Sequence, residues 1–480
     1  MNGDRNFQRP LWMMLCILCI LLIIACLVPE YNNGSWKIRK LSLFSDLTRK
    51  PAQEQPITLS RVIGLPTQSK VGNEKPASES DKPFVDPALV PFFEALKQCQ
   101  QDGSPVRIAY FGDSIIEGDL ITQSLRHNLQ SRFGGSGVGF VPITSIVANF
   151  RTTIKHSFSP EWSTFSLMTP NPQRYPIGMS GFVSLPLWNK VHFKTTAATD
   201  SSGSTPVPRD TVVTYNSPYC WVRYRGSSVL NPDPLFHRIR LFYSNAPAGY
   251  AIKASSDNQV RRSILLQSGN DLHTTVLNQD NPVPNIEMVF PKSNRLCVYG
   301  MSFDSPKGVY VDNFALRGYS GMYFSNASKS ILAGFQQQMK YNLIILQYGT
   351  NVSEPRIKNY AYYRNGMISS IRYLQEIFPG TPILVVSIGD KSVKAGTEYQ
   401  TSPDIPYLVK AQEETAQRTH SAFWNLYENM GGYNSMIDYV NATPPLAQRD
   451  YTHFNSNGTN KIAGMLTQYL MQQYENLHTQ

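Results

Sequence analysis

Hydrophobic and polar residues follow three different patterns along this chain. Residues 11–28 are apolar without interruption, and residues 30–84 are rich in Pro, Ser, Gln and Lys with little periodicity. Beyond that point short apolar runs alternate with amphipathic helical stretches, except in the middle of the chain, where alternating strand-like runs dominate. The pattern predicts an N-terminal anchor or signal (1–29), a disordered linker (30–84), an α/β domain in two parts (85–149 and 311–480) and an inserted β-domain (150–310).

The α/β parts pair apolar runs of strand length with amphipathic helical stretches. Residues 106–111 are apolar and β-prone, and Ile121, Leu125, Leu129 and Phe133 then recur at helical spacing. Strands that alternate with helices predict a parallel sheet with helices on both faces. The later strands are predicted at 343–348, 382–387 and 422–427, and the later helices around 367–378, 406–419 and 457–474.

The middle of the chain reads as a β-sandwich that interrupts the α/β pattern. Short alternating runs such as 220–224, 239–243 and 286–290 are separated by turn clusters such as 231–234. Aromatic side chains in this part are candidates for stacking on sugar rings, although core packing is the ordinary role of any single aromatic residue. The candidates are Trp162, Trp188, Tyr219 and Trp221.

The apolar run at 11–28 would be about 27 Å long as a helix, close to the hydrocarbon thickness of a membrane. Arg5 and Arg9 precede it and predict that the rest of the chain is exported. A membrane anchor is the favoured interpretation. A lipoprotein signal is the alternative, because residues 23–26 resemble a lipobox with Cys26 as the lipidated residue. A cleaved signal peptide fits less well, since no A-x-A-like site follows.

Charge and cysteine content exclude several classes of function. The formal net charge of +10 is spread along 480 residues without a Lys/Arg run, so nothing predicts nucleic-acid binding, whereas anionic envelope polymers are compatible with such a surface. Beyond the apolar run, Cys99, Cys220 and Cys297 stand far apart, which disfavours a zinc site. Cys220 and Cys297 could pair in an oxidising compartment or serve as small buried hydrophobic residues. We expect no cofactor or metal.

Candidate chemistry begins at Gly112-Asp113-Ser114, where the first predicted strand turns into a helix. A serine at the end of a parallel strand has an exposed hydroxyl, and neighbouring backbone N–H groups can face a developing negative charge. The alternative is an ordinary turn, because Gly, Asp and Ser all favour turns. Asp113 is expected to hold the turn that presents Ser114.

Two later stretches favour the catalytic interpretation. Asn351 follows the predicted strand 343–348 and can donate its side-chain N–H to an oxyanion, although it could also cap a helix. Near the C-terminus, Asp450 precedes His453 by three residues. Histidine is the side chain best suited to accept a serine proton near neutral pH, and the aspartate can orient its ring.

These three stretches, in this order, resemble the SGNH (GDSL) hydrolase superfamily. The resemblance implies a flavodoxin-like parallel sheet in which Ser114 is the nucleophile, His453 the general base and then acid, and Asp450 the orienting carboxylate. It also implies an oxyanion hole made by the backbone N–H of Ser114, the side chain of Asn351 and a glycine N–H. That last role is assigned to Gly321, with Gly318 as the alternative.

The chain also resembles a narrower group, the bacterial peptidoglycan O-acetylesterases with an inserted carbohydrate-binding-like domain. This resemblance rests on the order of the predicted domains and on residues 134–140 and 430–436. Ile115 departs from the pattern, because many relatives place His there. The resemblance implies an exported serine esterase that removes O-acetyl groups from an envelope glycan, with peptidoglycan as the expected substrate class. The expected location is the cell envelope: the inner membrane, facing the periplasm, or a lipoprotein anchored through Cys26.

Two alternatives remain open at this stage. The same triad serves O-acetyltransferases, in which a sugar hydroxyl replaces water and a membrane-bound O-acyltransferase supplies the acetyl group; an anchor at 11–28 suits that role. The other alternative is a non-catalytic glycan-binding envelope protein whose β-domain is the working part. An intact triad argues against it.

Overall fold

The computed structural model describes residues 84–187, 219–231, 233–257, 259–278 and 281–478, together with four strands outside these ranges. Those strands are the pairs Asn32–Asn33 with Trp36–Lys37 and Val191–Ala197 with Pro208–Thr214, whose backbone pairing alone is described. The predicted anchor, nearly all of the predicted linker and Trp188 lie outside the described residues. Among the residues that are described, no helix is long and apolar enough to cross a membrane.

Residues 81–480 form one compact unit. Its helices, in chain order, are α1 (Val90–Asp102), α2 (Thr122–Phe133), α3 (Lys329–Met339), α4 (Ala361–Ile377), α5 (Ile405–Thr419), α6 (Leu426–Met430), α7 (Ser435–Asn441) and α8 (Ser456–His478).

Its strands, in chain order, are β1 (Val106–Gly112), β2 (Gly139–Pro142), β3 (Ile154–Phe158), β4 (Ser163–Ser166), β5 (Phe182–Leu185), β6 (Val191–Ala197), β7 (Pro208–Thr214), β8 (Tyr219–Gly226), β9 (Arg238–Ser244), β10 (Ala251–Ser256), β11 (Gln259–Leu265), β12 (His273–Asn278), β13 (Asn285–Pro291), β14 (Cys297–Asp304), β15 (Val309–Ala315), β16 (Leu343–Gln347), β17 (Ile383–Val386), β18 (Ser392–Ala395), β19 (Glu398–Thr401) and β20 (Ala422–Trp424).

The parallel sheet has five strands in the order β15-β1-β16-β17-β20. Alternate residues of β1 face opposite sides: Ile108 and Tyr110 pack with helices α1, α2 and α8, whereas Ala109 and Phe111 pack with α3, α4 and α5. The predicted parallel sheet with helices on both faces is confirmed. In a parallel sheet that is buried on both faces, the strands are nearly continuous apolar runs. This is why the strands could be predicted from the short apolar runs in the sequence.

The antiparallel strands form a sandwich of two sheets. One has the order β11-β10-β13-β8-β3, and the other has the order β12-β9-β14-β5-β4 with β2 also pairing with β14. Their facing sides share one hydrophobic core, which includes Val222, Met288, Leu241 and Met301. The antiparallel strands begin at Gly139, so strand structure starts before residue 150.

The second sheet of the sandwich is buried on both faces. Every residue of β14 is buried. The face turned away from the sandwich core packs on the α/β part: Phe242 stacks on Phe335 of α3 with ring centroids 5.1 Å apart, and Phe140 contacts Phe314 of β15 at 5.4 Å. The sandwich and the parallel sheet therefore share a continuous core.

No disulfide bond joins Cys220 to Cys297. Both side chains are fully buried in hydrophobic cores. Burial raises the pKa of the Cys297 thiol to about 11. The structure therefore agrees with the interpretation of these residues as small buried hydrophobic residues.

Candidate active site

Ser114 lies in a tight turn directly after the central strand β1. Gly112 ends that strand, and a Cβ at this position would come within 3.0 Å of Ile116 and of the Gln347 carbonyl oxygen, so only glycine lets the turn fold back on the sheet. Asp113 caps the following 3-10 turn, Ser114–Asp119, because its Oδ1 accepts the N–H of Ile115 at 3.0 Å. The Gly-Asp-Ser sequence thus presents the serine hydroxyl beyond the strand end.

Asp113 is completely buried. Burial raises the pKa of its carboxyl to about 6, although the hydrogen bond from Ile115 and the nearby His453 oppose the shift. Its second oxygen accepts a hydrogen bond from Asn351 Nδ2 at 3.1 Å. Asp113 therefore ties the end of β1 to the residues that follow β16, in agreement with the role in the turn expected from the sequence.

His453 lies between Ser114 and Asp450. Its Nε2 is 3.0 Å from Ser114 Oγ, and its Nδ1 is 2.7 Å from Asp450 Oδ2. The other carboxylate oxygen of Asp450 accepts the backbone N–H groups of Thr452 and His453 at 3.0 and 2.9 Å. Partial burial would raise the pKa of Asp450, but these hydrogen bonds outweigh it and lower the pKa below its usual value. The carboxylate is thus ionised and oriented beside the imidazole.

The loop that carries His453 is attached to the start of helix α8. The N–H of Gln448 donates to the carbonyl of His453 at 2.7 Å, and Ala447 forms a β-bridge with Phe454. Phe454 is buried in the same core as helices α1, α2 and α8. This buried anchor fixes the loop, while the side chains of Asp450 and His453 remain 46% and 36% exposed and open to a substrate.

Asn351 reaches the same sheet edge because β1 and β16 are neighbours, with Gly112 in register with Gln347. Its Nδ2 donates to Asp113 and, at 3.3 Å, to the carbonyl of Tyr319. Both N–H groups therefore have acceptors in the absence of substrate. A role as an oxyanion donor requires that one acceptor be exchanged, and the longer bond to Tyr319 is the weaker one.

The two candidate glycines lie in different surroundings. Gly321 is buried, and a Cβ there would collide with Tyr348 and with Met367 Sδ. Gly318 is exposed and has only Met168 Cε nearby, at 3.7 Å from a Cβ position. Both adopt positive φ, +84° and +81°. Gly321 is thus a packing glycine in the core, while Gly318 lies on the surface loop next to Tyr319, whose carbonyl contacts Asn351.

This arrangement suits acyl transfer. The imidazole can take the Ser114 proton at Nε2 while Asp450 stabilises the positive charge that forms on the ring. The resulting alkoxide can attack a carbonyl carbon. An oxyanion formed in this way needs N–H donors, and the side chain of Asn351, which follows the neighbouring strand, is a candidate. No cluster of three or more His, Cys, Asp or Glu suited to a metal ion occurs in the part of the chain that the structure describes.

A second group of side chains beside the turn was not identified from the sequence. Asp119 is fully buried and pairs with Arg126 at 2.8 Å and with Arg151 at 3.3 Å. Burial alone would raise the pKa of Asp119, but the two arginines lower it well below its usual value. At the other side of the turn Glu117 pairs with Arg317, the residue before Gly318. Spacing offered no signal for these pairs, because the separations follow no motif and range from 7 residues for Asp119 and Arg126 to 200 for Glu117 and Arg317.

A cavity of about 520 Å³ adjoins the turn on the side of the sandwich. Glu117, Leu316 and Arg317 line it from the α/β part, and Phe158, Met168 and Phe182 line it from the sandwich, among other residues. Most of its wall is apolar, with hydroxyl groups interspersed. The cavity has room for part of a substrate larger than an ester group, next to residues 117–119 of the turn that Ser114 begins.

The aromatic candidates in the sandwich separate into different roles. Trp162 is 1% exposed, donates its Nε1–H to the carbonyl of Trp221 at 3.0 Å and packs edge-on against Phe290. It is therefore a core residue, and stacking on a sugar ring is excluded for it. Trp221 lies under the guanidinium of Arg223 at 4.5 Å, and Tyr219 is exposed.

Comparison with known proteins gave matches among solved structures only. No family model and no curated protein sequence matches the chain. A solved structure of a peptidoglycan O-acetylesterase aligns with 81% of this chain and 97% of its own at 19% identity, with a TM-score of 0.61. Two further esterase structures align much less closely. A family two carbohydrate esterase from Cellvibrio japonicus covers 67% of this chain and 100% of its own at 13% identity, with a TM-score of 0.25. An acetyl xylan esterase covers 34% of this chain and 81% of its own at 15% identity, with a TM-score of 0.26.

The likeness to the peptidoglycan O-acetylesterase structure spans both the parallel sheet and the sandwich, since it covers four fifths of the chain. At 19% identity it is evidence about the fold. The chain therefore shares its overall fold with this peptidoglycan O-acetylesterase structure.

Proposed function

We propose that this chain is an exported serine esterase that removes O-acetyl groups from a cell-envelope glycan, and that the glycan is peptidoglycan. One observation carries the proposal: Ser114, His453 and Asp450 form a continuous hydrogen-bonded chain, with contacts of 3.0 and 2.7 Å, at the end of the central parallel strands. The likeness in fold to a peptidoglycan O-acetylesterase supports the choice of substrate.

In the proposed reaction, His453 Nε2 takes the proton of Ser114 Oγ as that oxygen attacks the acetyl carbonyl carbon. The oxyanion is held by the N–H of Ser114, the side chain of Asn351 and a glycine N–H. Collapse breaks the bond to the sugar oxygen, which leaves with the proton from His453. Water then attacks the acetyl-serine, gives a proton to His453, and acetate leaves as Ser114 is reprotonated.

We assign the glycine of the oxyanion hole to Gly318 rather than to Gly321. Gly318 is exposed on the loop beside Tyr319, and the Tyr319 carbonyl accepts from Asn351. Gly321 packs against Tyr348 and Met367 in the core. We further propose that the glycan enters through the cavity lined by Arg317 and Met168, because this cavity runs from the Ser114 turn to the sandwich.

The location of the protein remains part of the proposal. The apolar run 11–28 would hold the chain in the inner membrane with residues 30–480 in the periplasm, or Cys26 would be lipidated after cleavage. Fractionation of cells combined with metabolic labelling by an alkyne fatty acid distinguishes the two. Label that depends on Cys26 indicates a lipoprotein, and membrane association without label indicates an anchor.

The function is tested by hydrolysis of p-nitrophenyl acetate and of O-acetylated peptidoglycan. Replacing Ser114 by Ala removes the attacking oxygen, so we expect kcat to fall by about 10⁴-fold or more while the thermal unfolding midpoint is kept. The Ser131→Ala variant, which changes an exposed serine on α2, is the control. Undiminished turnover by Ser114→Ala, or no turnover by the unmodified chain, would contradict the proposal.

The same assay separates hydrolysis from transfer. With de-acetylated glycan as acceptor and p-nitrophenyl acetate as donor, an esterase releases acetate, whereas an O-acetyltransferase produces acetylated sugar. Mass spectrometry of the glycan and an acetate assay quantify both products. If glycan binds but neither product forms, the chain is a non-catalytic binding protein.

A further inference from the structure

The hairpin of β18 and β19 contacts the loop that carries the Asp450–His453 pair. The N–H of Ser392 donates to the carbonyl of Tyr451 at 3.0 Å. The ring of Tyr399, from β19, stacks on the ring of Tyr451 with centroids 3.7 Å apart and planes inclined by 12°. The hairpin thus contacts Tyr451 through both its backbone and its side chain.

Tyr451 occupies a sensitive position in the loop. It lies between Asp450 and Thr452, and its backbone has a φ of +54°. A positive φ is unusual for a bulky side chain and persists only where surrounding contacts impose it. Because Asp450 must reach past Tyr451 to accept the N–H and the Nδ1–H of His453, a change in the backbone of Tyr451 would displace the carboxylate from the imidazole.

The hairpin itself is well attached. The N–H of Ser402 donates to the carbonyl of Lys391 at 2.8 Å and closes its base. Asn434 accepts the N–H of Thr401 at 3.0 Å and donates its own N–H to Thr401 Oγ1 at 2.6 Å. The hairpin can therefore act as a fixed support for the catalytic loop. Tyr399 itself is 39% exposed, and its ring contacts the loop at Tyr451.

We propose that Tyr399 is a positioning residue, which holds Tyr451 in its left-handed conformation and thereby keeps Asp450 aligned with His453. The inference rests on the proposed function and deepens it by adding a residue that acts through another. The stack needs an aromatic ring and does not need the phenolic hydroxyl.

The test compares Tyr399→Ala with Tyr399→Phe on p-nitrophenyl acetate. A small displacement of catalytic groups costs up to about 100-fold in rate, so we expect Tyr399→Ala to lower kcat by roughly 10- to 100-fold with little change in KM. Tyr399→Phe keeps the ring and is expected to retain kcat within about twofold of the unmodified chain. Tyr407→Ala, which removes a similarly exposed tyrosine from α5, is the matched control.

Several outcomes would overturn the proposal. Full kcat in Tyr399→Ala contradicts it, and so does a loss of activity in Tyr399→Phe equal to that in Tyr399→Ala. A higher KM on glycan with an unchanged kcat on the small ester indicates a sugar-stacking surface instead of a positioning role. Loss of fold is detected by thermal unfolding, and a fall in kcat that merely follows the unfolded fraction also counts against it.

The Ser114→Ala variant is measured in parallel so that the two proposals fail separately. If the unmodified chain is active, Ser114→Ala inactive and Tyr399→Ala fully active, only the positioning role fails. If Ser114→Ala is as active as the unmodified chain, the proposed function is contradicted, and the positioning role that rests on it is contradicted as well.

Discussion

The catalytic triad and a buried ion cluster between the sandwich and the parallel sheet both join segments that are far apart in the chain. The charged groups of the triad are partly exposed to solvent, whereas those of the buried ion cluster are not. Asp450 and His453 are about two-fifths exposed and lie three residues apart. The buried ion cluster consists of Arg107, Arg240, Asp304 and Asp312, with side chains at most 10% exposed. Arg107 and Asp312 come from the parallel sheet, and Arg240 and Asp304 come from the sandwich.

Every member of the buried ion cluster has several partners. Asp312 accepts from Arg107, from the N–H of Phe140 at 2.8 Å and from Tyr341 Oη at 2.8 Å. Asp304 accepts from Arg107 and from Arg240. Burial would raise the pKa of Asp304, but the two arginines lower it below its usual value. Buried charges need such complete pairing, because removal of one partner leaves the others uncompensated.

This difference in exposure indicates that the buried ion cluster affects the free energy of unfolding, whereas the triad affects the activation free energy of the reaction. The side chains of the buried ion cluster are at most 10% exposed and link the sandwich to the parallel sheet, so we expect them to stabilise that attachment. The triad keeps access to substrate and makes few buried contacts, so it can act on the reaction while contributing little to stability. Substitutions in the two regions should therefore separate activity from stability, and each prediction below tests that separation.

The largest effect is expected on activity from Asp450→Asn. The amide can keep accepting backbone N–H groups but cannot stabilise the imidazolium, so kcat should fall by about 10⁴-fold, and the thermal unfolding midpoint should stay close to that of the unmodified chain. Steady-state kinetics and calorimetry check both halves. Asp438→Asn, on the exposed side of α7, is the control; retention of more than a tenth of kcat by Asp450→Asn would remove this residue from the triad.

The next effect is expected on stability from Asp304→Asn. It leaves Arg107 and Arg240 short of one negative charge in the interior, which costs about 3–5 kcal/mol of unfolding free energy. Chemical denaturation measures it, and kcat per folded molecule should be unchanged. Glu376→Gln, which breaks the exposed pair with Lys329, should cost under about 1 kcal/mol. Equal losses in the two variants would mean that the buried ion cluster does not anchor the sandwich.

A smaller effect on activity is expected from Asn351→Ala. Removal of one oxyanion donor lowers kcat by roughly 10²–10³-fold. In this protein the substitution also removes the donor to Asp113, so the unfolding free energy is measured alongside. Kinetics on p-nitrophenyl acetate test whether Asn351 is an oxyanion donor. If Asn351→Ala loses stability but keeps full kcat, the role of Asn351 is structural, as a hydrogen-bonded link between the ends of two strands.

The smallest effect is a pH dependence contributed by Asp113. Its pKa is raised to about 6 in the folded state, whereas an unfolded aspartate titrates near 4, so the folded chain binds the proton more tightly. The unfolding free energy of the wild type relative to Asp113→Asn should therefore fall by roughly 1 kcal/mol per pH unit between about pH 4 and 6 and level off above. Denaturation at pH 4.5, 5.5 and 7 tests it; a difference independent of pH would contradict the raised pKa.

Local patterns in the sequence predicted much of the α/β part. The buried strands 106–111, 343–348 and 382–387 were recognisable because both faces are covered, and the observed strands lie within them or within one residue of their ends. The predicted strand 422–427 is shorter than expected, because Leu426 already begins helix α6. Helix α3 and the β18–β19 hairpin were not predicted, since neither carries a motif and the hairpin is largely polar.

The candidate site also has a part that the sequence predicted and a part that only the structure showed. Ser114, Asp450 and His453 were predicted because turn-forming and titratable residues occupy short, ordered motifs, and the structure places them in mutual contact. For the glycine of the oxyanion hole, the sequence analysis preferred Gly321 to Gly318. The sequence alone does not distinguish two glycines three residues apart, and only the packing of Gly321 against Tyr348 shows that it is the buried one. Trp162 was one of the candidates for sugar stacking, and its burial shows the ordinary role of a single aromatic residue, core packing.

The sequence by itself determined the alternation of buried parallel strands with helices, the turn at Gly112-Asp113-Ser114 and the Asp450–His453 pair. Each of these depends on neighbours in the chain: periodicity, a capping side chain or a three-residue spacing. Only the tertiary structure decided how the sandwich attaches to the sheet through Arg107 and Asp304, and how Tyr399 meets Tyr451. Those contacts join residues from 52 to about 200 positions apart. Pairing over such distances depends on strand order and packing, which no local pattern encodes.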